Sequence, residues 1–231
     1  MECVILAGGK GERMHPYTEN MPKPMFLIGG KPILWHVMKY YSCFGVTSFI
    51  VCIGFRGKKI KEYFIEHPEK WDITFIDTGV ESSKGERLLA VKDSIKGEDF
   101  YVAYGDDVST VDIKALTAFH KKKGKIVTLT ATPLISNFGV LQIEDDLVID
   151  FKEKPKLKHW INGGFFCMSR KIFEHLGKGL DLETDVLRKL AEKKQIASFK
   201  HDGFWNAMNT LKDSQELVGL WDTGKAPWKI W

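Results

Sequence analysis

Leu6-Ala7-Gly8-Gly9-Lys10-Gly11-Glu12-Arg13 follows a short apolar run at the start of the chain, and Pro22-Lys23-Pro24 comes soon after. Glycines directly after a buried strand commonly bring backbone N–H groups up to phosphate oxygens. Two familiar phosphate loops fail to account for the spacing. The dinucleotide fingerprint needs a third glycine and a helix that starts at once, whereas Pro16, Pro22 and Pro24 interrupt any such helix. The P-loop needs Gly-Lys-Ser/Thr, which is absent. What remains is a long loop carrying two spaced cations, Arg13 and Lys23, the second stiffened by a proline on either side. The glycines alone would also suit a surface turn with solvated charges, but such a turn rarely needs a lysine held so firmly.

A second group of residues lies at Tyr104-Gly105-Asp106-Asp107-Val108. Two acids after a buried strand are the usual way to hold magnesium near phosphates; for Asp107 the alternative is a cap on the helix beginning near Asp112. Phe151-Lys152-Glu153-Lys154-Pro155 has an acid–base pair suited to a sugar hydroxyl and a phosphate. Asn162-Gly163-Gly164-Phe165-Phe166 exposes backbone amides beside aromatic rings, and Trp205-Asn206-Ala207-Met208-Asn209-Thr210 adds polar groups to the same rim.

These residues must be carried by elements that the apolar pattern defines. Runs at Glu2–Leu6, Ser48–Ile53, Ile73–Ile76, Phe100–Tyr104 and Ile126–Ala131 predict buried strands, and helical spacing predicts helices at Ile33–Tyr41, Lys58–Phe64, Arg87–Ser94 and Ile113–Lys122. Alternation of the two implies an α/β fold with a mainly parallel central sheet covered by helices on both faces. After Val140 the pattern changes. A hairpin is expected over Val140–Ile143 and Val148–Lys152 around Asp145-Asp146, then a strand over Trp160–Met168, helices near Arg170–Leu176 and Leu182–Lys193, a strand at Ile196–Lys200 and a last helix over Leu211–Trp221. A single domain results, with a nucleotide-binding half over 1–135 and a mixed acceptor-binding half over 136–231. Ligands of open α/β sheets bind beyond the carboxyl ends of the strands, where the motifs above fall.

Composition narrows the function classes. The 231 residues suffice for a substantial core, and 44% hydrophobic content argues against disorder. A net charge of +4, from 34 basic and 30 acidic residues, is too balanced for a nucleic-acid surface. The dense basic run, Lys121-Lys122-Lys123-Gly124-Lys125, falls where a helix should end and there complements the helix dipole. Cys3, Cys43, Cys52 and Cys167 form no C-x-x-C pair and read as reduced, buried thiols of a cytoplasmic protein. No apolar run reaches the roughly 18 residues of a membrane span, and no leader pattern is evident.

The loop Leu6–Arg13 with Pro22-Lys23-Pro24 resembles the signature of the nucleoside-diphosphate-sugar pyrophosphorylases, the sugar nucleotidyltransferases. Within that superfamily, Gly29–His36, Tyr104-Gly105-Asp106, Ile161–Phe166 and the ending Gly224-Lys225-Ala226-Pro227-Trp228-Lys229 are most similar to glucose-1-phosphate cytidylyltransferases. The resemblance covers essentially the whole chain and implies a Rossmann-like nucleotidyltransferase fold, CTP, a hexose 1-phosphate such as glucose 1-phosphate, and Mg2+. It implies that Arg13 and Lys23 are catalytic, holding the departing pyrophosphate and the α-phosphate. Leu6, Ala7, Gly8, Gly9, Gly11, Thr78, Arg87, Gly105 and Asp106 complete the implied nucleotide site. Gly139, Glu153, Lys154, Asn162, Gly163 and Gly164 form the implied acceptor site, and Asp106 with Asn209 the metal site. Arg87 is a candidate reader of cytosine O2, the alternative being a solvent-exposed arginine at a helix start. Three departures accompany the match: Glu12 where threonine is common, a short segment between Phe64 and Ile73, and Asn209 where the family has a metal-binding aspartate. The short segment leaves assembly into a homo-oligomer open. Transfer to a different phosphorylated small molecule is one alternative. A nucleotide-sugar-binding regulatory subunit is another, opposed by Arg13, Lys23 and Asp106 and favoured by Asn209.

Overall fold

The computed structural model describes residues 1–231. Its elements are β1 (Cys3–Leu6), β2 (Leu27–Ile28), β3 (Lys31–Pro32), α1 (Ile33–Cys43), β4 (Ser48–Ile53), α2 (Gly57–Glu66), β5 (Asp72–Asp77), α3 (Lys84–Ala90), β6 (Asp99–Tyr104), β7 (Asp107–Ser109) and α4 (Ile113–Lys123). They continue with β8 (Val127–Ile135), β9 (Val140–Glu144), β10 (Leu147–Lys152), β11 (Lys156–Asn162), β12 (Phe166–Ser169), a π-helical turn at Leu182–Leu187 running into α5 (Arg188–Glu192), β13 (Ile196–Lys200), β14 (Trp205–Ala207) and α6 (Leu211–Asp222). Local chemistry sets several starts. Ser83 and Glu86 form a reciprocal capping box on α3, as Thr210 and Asp213 do on α6. Asp112 itself caps α4 by accepting from Ala115 N at 2.9 Å, so Asp107 is not the cap. The lysine run ends α4 at Gly124, as the dipole argument requires.

The main sheet has eight strands in the order β11-β8-β12-β6-β1-β4-β5, with β13 also paired to β8. β6, β1, β4 and β5 are mutually parallel, whereas β12 runs antiparallel to both β6 and β8. Alternation along β1 sends Cys3 and Ile5 to one face and Val4 and Leu6 to the other. On the first face α1, α2, α4 and α6 contribute Leu34, Ile60, Leu116 and Leu217; on the second, α3 and the π-helical turn contribute Leu88, Leu182 and Val186. Helices therefore cover both faces, and no helix is long and apolar enough to cross a membrane.

Three expectations need correction. The strand anticipated over Trp160–Met168 is two strands, β11 and β12, separated at Gly163–Phe165, where Gly164 (φ 67°) and Phe165 (φ 44°) enter the left-handed region. A pair of residues in that region cannot continue a pleated strand. The helix anticipated at Arg170–Leu176 is a 3-10 turn over Arg170–Glu174. Cys43 is exposed at the end of α1, while the other three cysteines are buried, and all four are free. The segment between α2 and β5 is short, as expected. The hairpin β9–β10 leaves Leu141, Ile143, Val148 and Phe151 exposed. A bulge between Val148 and Asp150 keeps Val148 opposite Ile143 and Phe151 opposite Leu141, on one face.

The C-terminal segment closes over α1 through His36, which is 0% exposed. Its Nε2 donates to Ile28 O at 2.8 Å and its Nδ1 accepts from Trp228 Nε1 at 3.4 Å, an arrangement that requires the neutral ring. Burial lowers its pKa from 6.5 to about 4, and burial lowers His120 as well. A folded-state pKa below the unfolded one means that the unfolded chain binds the extra proton, so stability falls as pH drops from 6.5 towards 4. His36 alone is expected to remove about 3 kcal/mol over that window. Urea midpoints measured at pH 7 and pH 4.5 should fall accordingly, and His36→Asn should flatten this limb; an unchanged midpoint in the unsubstituted protein would contradict the assignment.

Candidate active site

The carboxyl ends of β1 and β6 open onto a cavity of about 790 Å3. Leu6 ends β1 at its floor, and the chain then loops through Gly8–Arg13, every residue of which lines the cavity. The N–H groups of Gly8, Gly9, Lys10 and Gly11 form no hydrogen bond within the protein. Successive free amides beside a cavity make an anion-binding concavity. Gly11 (φ 68°) turns the chain into a 3-10 turn over Glu12–Met14, which carries Arg13 at the exposed lip.

Lys23 is 9% exposed and sits in a second 3-10 turn, Lys23–Met25, with Pro22 before it and Pro24 within it. Its ammonium forms an ion pair with Asp106 and donates to Asn209 Oδ1 at 3.2 Å. Positions 23, 106 and 209, far apart in sequence, thus meet at one point. Asn209 is fixed by its own N–H, which donates to Asp213 Oδ2 at 3.0 Å, and Met208 N donates to Asp106 O at 3.0 Å. Asp107 is 5% exposed, and its carboxyl is pushed well above the usual carboxylate range by burial and then by the Asp106 charge.

Arg87 is not a solvent-exposed helix-start arginine. It is 3% exposed; its Nη1 donates to Thr78 Oγ1 and Gly79 O, each at 2.7 Å, and its Nη2 to Val80 O at 3.0 Å. Thr78 in turn donates to Ile53 O at 2.9 Å. The guanidinium therefore ties the segment after β5 to the segment after β4, beneath the glycine loop.

Of the implied site residues, Leu6, Gly8, Gly9, Gly11, Arg13, Lys23, Arg87, Asp106, Asn162 and Asn209 line this cavity. Ala7, Thr78 and Gly105 stand behind its wall. Gly139, Glu153 and Lys154 do not reach it, because they sit at the base of the exposed hairpin. Gly163 and Gly164 are near, but their amides are committed: Gly163 N donates to Thr130 O at 2.8 Å and Gly164 N to Asn162 Oδ1 at 3.0 Å. Lys84, Asp181 and Glu183 line the cavity without having been singled out from sequence, and Trp205 lines it from the stretch that was. Asp181 and Glu183 read as ordinary first-turn acids, and Asp181 does cap the π-helical turn by accepting from Glu183 N at 2.9 Å and Thr184 N at 3.1 Å.

A nucleotidyl transferase family model matches residues 2–220. Glucose-1-phosphate cytidylyltransferase of Salmonella typhi is 43% identical over 256 aligned positions, and a Bacillus subtilis (strain 168) protein named probable glucose-1-phosphate cytidylyltransferase is 40% identical over 254. Both alignments take in all of this chain and of the relative. A UDP-glucose pyrophosphorylase solved with UDP-glucose superposes with a TM-score of 0.76 at 21% identity, over 96% of this chain and 98% of that one. The chain belongs to the nucleotidyl transferase family.

Gly8 and Gly9 separate packing from ligand contact. A Cβ at Gly8 would stand 2.1 Å from Arg87 Nη1 and 3.0 Å from the Ile53 carbonyl carbon, whereas nothing lies within 4 Å of one at Gly9. Gly8→Ala is expected to lower the unfolding free energy by about 1–3 kcal/mol, and Gly9→Ala to change it by less than about 0.5 kcal/mol. Urea titration of the two variants checks this; equal effects would mean that the Arg87 contact does not constrain the loop.

Proposed function

We propose that this nucleotidyl transferase couples CTP to a sugar 1-phosphate, glucose 1-phosphate above others, to give a CDP-sugar and pyrophosphate. The observation that carries the reading is the convergence of free loop amides, Arg13 and the pinned Lys23 ammonium on one cavity. The nucleotide and acceptor named in the full-length relatives supply its substrates. Residues 1–135 contribute the nucleotide side of the cavity and 136–231 part of the acceptor side.

A sugar phosphate is already anionic near neutral pH, its second pKa being about 6, so the reaction needs no general base. The chain's task is to align an in-line attack on the α-phosphorus and to neutralise charge as it moves. Lys23, its backbone stiffened by its prolines, brings a point charge to the α-phosphate. The free amides of Gly8–Gly11 and the forked guanidinium of Arg13 receive the departing pyrophosphate. Arg87 acts at a distance, holding the loop floor in place.

Asp106 and Asn209 would hold magnesium, each directing a hard oxygen to the point that the Lys23 ammonium occupies in this structure, and the ammonium would then turn from them towards the α-phosphate. Held there, the ion would supply charge neutralisation to phosphate oxygens.

Incubation with CTP or UTP and a panel of sugar phosphates, with pyrophosphate as the readout, tests the function. Turnover is expected with CTP and glucose 1-phosphate, at higher kcat/KM than with UTP, and Lys23→Ala is expected to lower kcat by about 10²-fold or more. Near-normal turnover in a folded Lys23→Ala protein would sink the mechanism. Asn209→Asp adds a second anionic oxygen and is expected to lower the magnesium requirement by roughly ten- to a hundredfold. Superimposable Mn2+-binding and Mg2+-activation curves for the two proteins would mean that position 209 is not a ligand.

A further inference from the structure

The stem of Lys23 runs beside the glycine loop, for a Cβ on Gly11 would stand 2.9 Å from Lys23 Cβ and 3.7 Å from its Cδ. Its ammonium ends between the Asp106 carboxylate and Asn209 Oδ1 and makes no other ion pair or hydrogen bond. Asp107, the neighbouring acid, lies against Gly164 instead, with its Oδ2 3.1 Å from where a Cβ there would stand. One cation thus meets one carboxylate and one neutral carbonyl. The point where the three converge is largely buried and carries no net charge.

A divalent ion arriving alone would find both protein oxygens engaged. Taking them would strip the ammonium of the only two acceptors it has, and removing the partner of a buried charge is strongly unfavourable. A nucleotide lifts that obstacle, because its α-phosphate gives the ammonium a new anionic partner on the side of the glycine loop. We infer that Lys23 is the resident cation of the metal position, keeping divalent ions off Asp106 and Asn209 until a nucleotide phosphate draws the ammonium away. Metal and nucleotide then bind cooperatively, and by linkage each raises the affinity for the other by the same factor, about ten- to a hundredfold. This order of events rests on the transfer reaction proposed above. It also gives Lys23 two opposed effects, since the charge that promotes transfer is the one that excludes free metal.

The test is Mn2+ titration of the nucleotide-free protein, followed by the electron paramagnetic resonance signal of the free ion. Lys23→Met keeps an unbranched stem and loses the charge. It is expected to bind Mn2+ about ten- to a hundredfold more tightly than the unsubstituted protein even though its turnover falls, and a further Asp106→Asn is expected to abolish the gain. Saturating CMP, which carries an α-phosphate but chelates the ion weakly, should tighten Mn2+ binding to the unsubstituted protein by the same factor and leave Lys23→Met unmoved. The CMP arm in the unsubstituted protein does not depend on the variant folding. Equal Mn2+ affinity of folded Lys23→Met and the unsubstituted protein, or no response of the latter to saturating CMP, would overturn the inference. Neither reading uses an acceptor or turnover, so that result would leave the transfer reaction standing. Absence of pyrophosphate release from CTP with every sugar phosphate would overturn the reaction without moving the Mn2+ readings.

Discussion

The ion pair between Lys23 and Asp106, extended by the hydrogen bond to Asn209, is the contact on which the site depends. Charges removed from water lose hydration, and such a pair is stabilising only when its remaining valences are met. Here the fold meets them from three directions. The proline-flanked turn brings the ammonium, the end of β6 brings Asp106, and the segment after β14 brings Asn209. β14 pairs with β7, Ala207 opposite Asp107, so the strand that presents Asn209 is registered directly against the strand that follows Asp106. A lysine so placed lacks the conformational freedom of a surface lysine.

Around that point the cavity lining mixes charges. The glycine loop brings free amides with Lys10, Glu12 and Arg13, and the other elements bring Lys84, Asp107, Asn162, Asp181 and Glu183. Burial and then the Glu183 charge raise the Tyr104 phenol above its ordinary value, so its hydroxyl remains a donor to Glu183 at every physiological pH.

The parallel strands and their helices were legible in the sequence because each buries a continuous apolar run or a single apolar face. Ser48–Ile53 and Ile196–Lys200 fall where the pattern places them. The glycine loop and Lys23 were legible because few other roles combine those residue types. The break at Gly163–Phe165 was not, since Phe165 occupies a left-handed conformation that its residue type does not announce. The partners of Arg87 were not legible for a related reason: they are the carbonyls of Gly79 and Val80 and the Thr78 hydroxyl, and only the course of the chain after β5 reveals them. Glu153 and Lys154 were singled out by type, and they follow β10 outside the lining of this cavity. No local pattern encodes that displacement.

Glu183 shows why a residue that lines the cavity can escape sequence reading. The π-helical turn at Leu182–Leu187 sends Leu182, Val186 and Leu187 into the core and leaves Glu183 to the cavity. Asp181 fixes the first amides of that turn, and Asp181 N donates to Asp185 Oδ2 at 2.8 Å, which closes the turn on itself. The carboxylate is then clamped from outside by Lys84 of α3 and Tyr104 of β6. Its position is thus set by three elements, each anchored in the core on the second face of the sheet. A carboxylate held in this way has little conformational freedom left to lose.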